Sequence, residues 1–275
     1  MATALNNQDL QRVAPSIFAS APWEKVSDRY AFIPTIQVVD ALRNEGFLPV
    51  KAMQSKTRIE GKGDFTKHLI RFRRDQDVPR PYPSPRVAVV GQEIPEIVLV
   101  NSHDRSSSYQ LSAGVFRVVC SNGMIVKSGD FGDIKVQHSG NIVDRVIEGS
   151  YSIINDMPKV MEQVESMKLI QLGNHEQHAF AKAALELRYP TDEAGNNGAP
   201  IEPDQLLMIR RHDDQTNTLW NTFQRVQENF IKGGLRGVGT TGKRTTTRKI
   251  NSVTEDVRLN KALWMLAEEL GKQVA

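Results

Sequence analysis

The spacing of apolar residues changes near the middle of this 275-residue chain. In the first half, short apolar runs such as Ile94–Val100 predict buried strands, and Asn122-Gly123 between two apolar segments is typical of a β-hairpin. After Asn141, apolar residues recur at helical spacing, beginning with Ile142 and Val146. This order predicts an α+β fold with an antiparallel β-rich N-terminal half followed by a helical C-terminal half.

The same patterns divide the chain into three predicted regions. Residues 1–30 show little periodicity and are predicted to form an irregular N-terminal arm. We predict an α+β core domain over residues 31–172 and a helical region over residues 173–275. Inside the helical region, two predicted helices flank residues 232–249, which we predict to be a flexible basic Gly/Thr loop.

The composition is that of a globular protein. Hydrophobic residues make up 39% and charged residues 24%, which argues against global disorder. The single cysteine, Cys120, excludes an intramolecular disulfide and suits a reducing compartment. No run approaches the roughly 18 apolar residues of a membrane span, and the first residues lack the basic and apolar regions of a signal peptide. We therefore expect a cytoplasmic protein with no membrane contact.

Positive charge is concentrated in two segments. Residues 232–249 hold six cations, five glycines, five threonines and no acid, and residues 50–74 hold eight cations and two acids, so each segment sums to +6. Since the whole chain carries +3, the remaining residues must sum to −9. This segregation points to contact with a polyanion.

The second segment ends in a predicted strand, Lys67–Arg74. Alternation places Arg71 and Arg73 on one face and Phe72 on the other, so the strand is suited to holding phosphates and stacking a base. The alternative is an edge strand whose charges deter aggregation. The predicted nucleic-acid-binding residues of both segments are Arg71, Phe72, Arg73, Arg74, Lys232, Arg236, Lys243, Arg244, Arg248 and Lys249.

Residues 232–249 also contain a near match to a phosphate-binding loop. That motif requires Gly-x-x-x-x-Gly-Lys followed by Ser or Thr, whose hydroxyl binds Mg²⁺. Gly237–Lys243 fits, but Arg244 stands where the hydroxyl belongs. The sequence therefore argues against a nucleotide triphosphatase and predicts no cofactor. The alternative to a polyanion-binding segment is a disordered linker between helices.

Candidate catalytic residues follow the strongest predicted strand. His103 is a candidate general base oriented by Asp104, with a serine nucleophile among residues 106–108. The same residues are equally natural in a polar turn. His175 and His178 are three residues apart, but two ligands do not make a metal site, so no metal is predicted.

Three segments carry a resemblance to a known family. They are Asn101-Ser-His-Asp with the following Ser-Ser-Tyr-Gln, Phe116–Gly123, and Leu219–Gly234. With them the chain resembles the phage- and plasmid-like protein family of unknown function number 932, in its prophage and plasmid branch, from about Pro15 to Leu270. The resemblance implies a mobile genetic element as context, and no catalytic residues.

The resulting prediction is a mobile-element DNA-binding protein that prefers single-stranded DNA. A role in recombination or strand annealing, and assembly into homo-oligomers, are attached expectations. Two alternatives remain open from the sequence. One is a DNA-processing enzyme centred on His103 and Asp104. The other is an anti-restriction or host-interaction protein, in which the net negative part of the chain outside the two basic segments binds a host partner.

Overall fold

The structure, a computed structural model, describes residues 3–23, 32–78, 93–117, 123–127, 133–137, 141–195 and 197–274. It divides the chain into two compact units. The first comprises Met1–Pro158 with Ser252–Thr254, and the second comprises Lys159–Asn251 with Glu255–Ala275. The predicted α+β class is confirmed, since the large sheet lies in the N-terminal half and long helices fill the C-terminal half.

An antiparallel sheet of six strands forms the centre of the first unit. Strands β1 to β5 pair in chain order, and β6 also pairs with β4. Their bounds are β1 Phe47–Gln54, β2 His68–Arg74, β3 Glu93–Asn101, β4 Tyr109–Arg117, β5 Gly123–Ile125 and β6 Ile134–Val136. The predicted pairing around Asn122-Gly123 is confirmed for β4 and β5. The turn itself, with Cys120 and Asn122, lies outside the described residues.

The helices of the first unit lie at its N-terminus and after β6. They are α1 Asn7–Val13, α2 Thr35–Asn44 and the first part of α3 Ile142–Leu169. Gly149 of α3 packs so closely on the sheet that a Cβ there would lie 2.7 Å from Leu111. Close approach of α3 to β4 therefore depends on the missing side chain.

Helix α1 corrects the prediction of an irregular arm for the described part of residues 1–30. Asn6 and Asp9 form a capping box at its start, and Leu10 and Ile17 are buried. The spacing of apolar residues gives little indication of this helix because α1 has only seven residues. The capping box and the packing of buried side chains fix where α1 begins.

The second unit is built around one buried helix, α5 Leu219–Lys232. All its residues from Leu219 to Ile231 are buried, and Trp220 packs against Phe223 and against Trp264 of α6. The surrounding helices include α4 Asn174–Arg188 and α6 Val253–Val274. Between α5 and α6 lies a two-stranded sheet of β7 Arg236–Val238 and β8 Arg244–Thr246.

Within the described part of the chain, no helix combines the length and the apolar character that crossing a membrane requires.

Candidate nucleic-acid interface

The segment predicted to be a flexible loop contains a β-hairpin. Arg236 pairs with Thr246, and Val238 pairs with Arg244. The turn is closed by a hydrogen bond from the Gly239 amide to the Lys243 carbonyl, 2.9 Å long. Threonines favour strands, and glycines permit the turn, so the composition that suggested a loop also suits a short hairpin. We call residues 234–250 the basic hairpin.

The root of the basic hairpin is fixed to the second unit by hydrogen bonds. The Ile250 amide donates to the Ile231 carbonyl at 3.0 Å, and the Gly234 amide donates to the Thr247 carbonyl at 2.8 Å. Arg188 of α4 donates to the Arg248 carbonyl at 2.7 Å. The strands therefore leave α5 in a defined direction, and the segment is not a free linker.

One face of the basic hairpin rests on the segment that begins at Pro200. The Val238 amide donates to the Pro200 carbonyl at 2.8 Å, and a Cβ on Gly237 would lie only 1.7 Å from that carbonyl oxygen. Because side chains alternate along a strand, the opposite face carries the residues on either side of Gly237 and their partners. Those residues are Arg236, Val238, Arg244 and Thr246, and all four are exposed.

Five of the six predicted cations of this segment are exposed: Arg236, Lys243, Arg244, Arg248 and Lys249. Within the described part of the chain, no ion pair joins any of these five to a carboxylate. The sixth, Lys232, pairs with Glu228 at 2.5 Å, and Arg211 binds the same carboxylate at 2.7 Å. Burial raises the pKa of Glu228, but hydrogen bonds from Arg211 and Lys232 outweigh it and lower the pKa.

The basic strand β2 presents the opposite arrangement. Arg71 donates to Glu96 at 3.0 Å, and Arg73 donates to the other oxygen of Glu96 at 2.8 Å. The two arginine side chains are 2% exposed, and that of Glu96 is 0% exposed. Arg71 also donates to the carbonyls of Gly123 and Met124. These guanidinium groups are satisfied inside the first unit.

The prediction that β2 carries a phosphate-binding and stacking surface is therefore wrong. Phe72 is fully buried on the other face of the sheet, and of the four predicted residues only Arg74 is exposed. The edge-strand alternative is also wrong, because β2 pairs with β1 on one side and β3 on the other. The acid that neutralises both arginines, Glu96, lies on β3, so only the pairing of β2 with β3 shows that it is near them.

The candidate catalytic pair lies in a turn after β3. His103 is fully buried, and its Nε2 lies 3.0 Å from Thr35 Oγ1. Asp104 pairs with Lys62 at 3.0 Å and accepts a hydrogen bond from the Ser106 amide. Burial raises the pKa of Asp104, but hydrogen bonds led by those from Ser106 lower it below its usual value. This geometry is that of an Asx turn and supports the polar-turn interpretation.

A buried polar network that the sequence did not predict surrounds Thr35, the first residue of α2. Thr35 Oγ1 lies 2.9 Å from His68 Nε2 and accepts a hydrogen bond from the Asn101 amide group at 3.0 Å. His68 Nδ1 lies near the Ser16 hydroxyl and, at 3.3 Å, the Thr66 carbonyl. These residues are far apart in the chain, so no local spacing reveals them.

The tautomers of this network follow from counting protons. A carbonyl only accepts, so His68 carries its proton on Nδ1 and its Nε2 accepts from the Thr35 hydroxyl. Thr35 Oγ1 then receives hydrogen bonds from Asn101 and from His103 Nε2, which carries a proton. Burial, followed by the neighbouring His103, lowers the pKa of His68 from 6.5 to about 3. His68 is therefore neutral in this arrangement.

His175 and His178 both lie in the first turns of α4. His178 Nδ1 is 2.7 Å from Asp204 Oδ1, and both side chains are exposed. Over the described ranges, no three His, Cys, Asp or Glu residues are grouped so as to hold a metal ion.

The fold and the site define an α+β protein of two units, with an exposed basic hairpin whose base is hydrogen-bonded to the second unit. Residues 22–264 match the family described as "Domain of unknown function (DUF932)", and the chain belongs to this family. The resemblance stated from sequence motifs is thereby confirmed.

Two relatives from Escherichia coli strain K12 are similar over nearly their whole length. They are UPF0380 protein YafZ and UPF0380 protein YfjQ, each 41% identical over 270 residues, which span 98% of this chain and 93% of the relative. No solved structure matches the chain.

Proposed function

We propose that this protein binds DNA through the basic hairpin and serves a phage- or plasmid-like genetic element. The observation that carries the proposal is the set of five exposed cations on and beside a hairpin rooted by hydrogen bonds. Cations that contact DNA phosphates release condensed counterions, which is a large favourable contribution at low salt. The resemblance to phage- and plasmid-like proteins supports DNA as the polyanion.

A solubilising role accounts less well for the same residues. Surfaces that serve solubility intersperse both charge signs, whereas residues 232–249 contain no acid. The hydrogen bonds at the hairpin root also hold in place the backbone that carries the cations. A binding partner therefore meets a partly organised set of charges, and less conformational entropy is lost on binding.

The proposal does not retain every part of the sequence-based prediction. The preference for single-stranded DNA depended on stacking by Phe72, and Phe72 is buried. Strand annealing and homo-oligomer formation stay predictions. Light scattering of the purified protein tests the second of these, and a strict monomer would contradict annealing by rings or filaments.

The test is a salt-dependent titration of a fluorescently labelled 20-base-pair DNA duplex and its separate strands. If all five cations contact phosphates, the slope of log K against log salt on the duplex is about −4.5, which is about a 500-fold loss between 50 and 200 mM salt. A variant with all five changed to Ala is expected to lose nearly all of this slope. Absence of binding at 50 mM salt, or an unchanged slope in the variant, contradicts the proposal.

A single-residue comparison controls for net charge. Arg244→Ala is expected to reduce the slope by about 0.9. Lys182 is an exposed cation of α4 outside the basic hairpin. Lys182→Ala removes the same charge from the same unit and is expected to leave the slope unchanged. Equal effects of both variants would mean that net charge, and not the hairpin, governs binding.

A further inference from the structure

We infer that the ligand of the basic hairpin is double-stranded DNA and that the hairpin enters its major groove. This inference rests on the proposed function and specifies its substrate. The major groove of B-form DNA is about 12 Å wide and admits a two-stranded β-ribbon. Two strands about 4.8 Å apart, with side chains on one face, match that width.

The outward face of the hairpin has the chemistry of a groove-reading surface. Arg236 and Arg244 lie on this face, on different strands and at opposite ends of the paired region. Val238, the cross-strand partner of Arg244, exposes 55% of its surface and adds an apolar group to this face. Arginine binds the guanine O6 and N7 edge, and an apolar group contacts the thymine methyl group, both of which lie in the major groove.

The remaining cations are placed to contact the phosphates that border such a groove. Lys243 lies in the turn, and Arg248 and Lys249 lie at the root of the hairpin. The Pro200 carbonyl lies against the opposite face at Gly237, which closes that part of the face to a ligand. A ribbon supported from behind at Gly237 presents its outward face to the groove, with cations for phosphate contacts at its turn and at its root.

Single-stranded DNA and duplex RNA fit this surface less well. Binding of single strands generally adds aromatic side chains on which bases stack, and residues 232–249 contain no aromatic residue. The major groove of an A-form RNA duplex is deep and too narrow for side chains to read. The geometry therefore favours B-form DNA among the nucleic acids.

The test compares four probes of one mixed sequence at 100 mM salt. They are the DNA duplex, either single strand, the RNA duplex, and a DNA duplex whose cytosines carry glucosylated hydroxymethyl groups that fill the major groove. We expect the plain duplex to bind at least about 10-fold more tightly than each of the others. Netropsin, which occupies the minor groove, is expected to have no effect.

Charge-conserving variants separate groove contacts from general attraction. Arg236→Lys with Arg244→Lys keeps the charge but loses the forked donor. We expect the double variant to keep the salt slope and to bind the plain duplex about 10-fold more weakly. Arg145→Lys, which makes the same exchange at an exposed arginine of α3 outside the basic hairpin, serves as the matched control and is expected to keep the duplex affinity within about 2-fold.

The outcomes distinguish this inference from the proposal beneath it. If no probe binds even at 50 mM salt, both fail. If single strands bind as tightly as the duplex and the binding still depends on the five cations, the proposed function stands and the major-groove inference is wrong. Loss of binding with netropsin but not with glucosylation also overturns it, because contact would then lie in the minor groove.

Discussion

Two segments of this chain carry the same formal charge of +6, but the cations predicted to bind DNA differ in exposure between them. In residues 50–74, Arg71 and Arg73 are buried against Glu96. In residues 232–249, five of six cations are exposed without a described acidic partner. The difference teaches that charge density along a sequence does not decide whether cations can bind a ligand. A single acid from another strand changes the outcome.

The physical cause lies in what each segment pairs with. Strand β2 lies between β1 and β3 in a six-stranded sheet, so its side chains have neighbours on both sides. A buried charge costs several kcal/mol unless it is paired and hydrogen-bonded, and Glu96 supplies that pairing to both arginines. The basic hairpin has only two strands of three residues each. It offers no comparable interior, and its cations stay in water.

The largest effect is expected from removing the shared acid of β2 and β3. Glu96→Gln leaves Arg71 and Arg73 buried without their carboxylate, so unfolding free energy should fall by about 3–5 kcal/mol. Urea unfolding measures the loss, and hydrogen exchange of β2 peptides locates it. Glu165→Gln, which removes the acid of an exposed pair with Lys168, should cost no more than about 0.5 kcal/mol. Equal losses of unfolding free energy in Glu96→Gln and Glu165→Gln would contradict the claim that the buried pair stabilises the fold more than the exposed one.

A second effect concerns the support beneath the basic hairpin. Gly237→Ala places a methyl group against the Pro200 carbonyl, so we expect a loss of about 1–3 kcal/mol and weaker DNA binding because the hairpin must shift. Gly239→Ala adds the same atom where the nearest neighbour is 3.7 Å away and should be tolerated. Urea unfolding and the duplex titration report both quantities. If the two variants bind DNA equally, the support by Pro200 is irrelevant to binding.

Lowering the pH should reduce the unfolding free energy through a buried histidine of β2. The pKa of His68 on β2 is lowered from 6.5 to about 3 in the folded state, so the unfolded chain binds a proton first as the pH falls. Stability is therefore lost progressively from about pH 6.5 towards pH 3, by roughly 1.5 kcal/mol between pH 6.5 and pH 5.

A substitution identifies His68 as the source of that pH dependence. His68→Gln is neutral at every pH and should flatten the decline in unfolding free energy between pH 6.5 and pH 5 by roughly 1.5 kcal/mol. His175→Gln changes an exposed histidine of α4 and should leave the decline as it is. An unchanged pH dependence in His68→Gln would falsify the assignment.

The smallest stability effect is expected where the binding effect is large. Arg236→Ala with Arg244→Ala changes exposed side chains, so the unfolding free energy should stay within about 0.5 kcal/mol of the parent. The same double variant should lower the salt slope on duplex DNA by about 1.8. A large loss of stability would show that these arginines, like Arg71, hold the fold together, and the contrast between the two segments would disappear.

Much of the fold could be predicted from local patterns. The apolar run Ile94–Val100 lies inside β3, and the helical spacing after Asn141 corresponds to α3. Gly46 follows α2 with a φ of +80°, as a glycine at a helix end does. Helix α1 was missed because its start depends on two capping side chains in a short segment.

The candidate site was predictable only in part. The cations of the basic hairpin were identified from composition alone, since Lys243, Arg244 and their neighbours have no acid nearby in sequence. The pairing of β7 with β8, and the support from Pro200, were not predicted, because three-residue strands carry too little periodicity. The network around Thr35 escaped prediction because its members come from separate elements.

The sequence by itself determined the order of strands and helices, the family, and the positions of the two basic segments. Those properties depend on spacing and composition within short stretches of chain. Only the tertiary structure decided which of the predicted DNA-binding cations stay accessible. Arg71 and Arg73 are neutralised by Glu96, which lies 25 and 23 residues further along and reaches them through strand pairing. The basic hairpin keeps its charge in water because no neighbouring strand brings it an acid within the described chain.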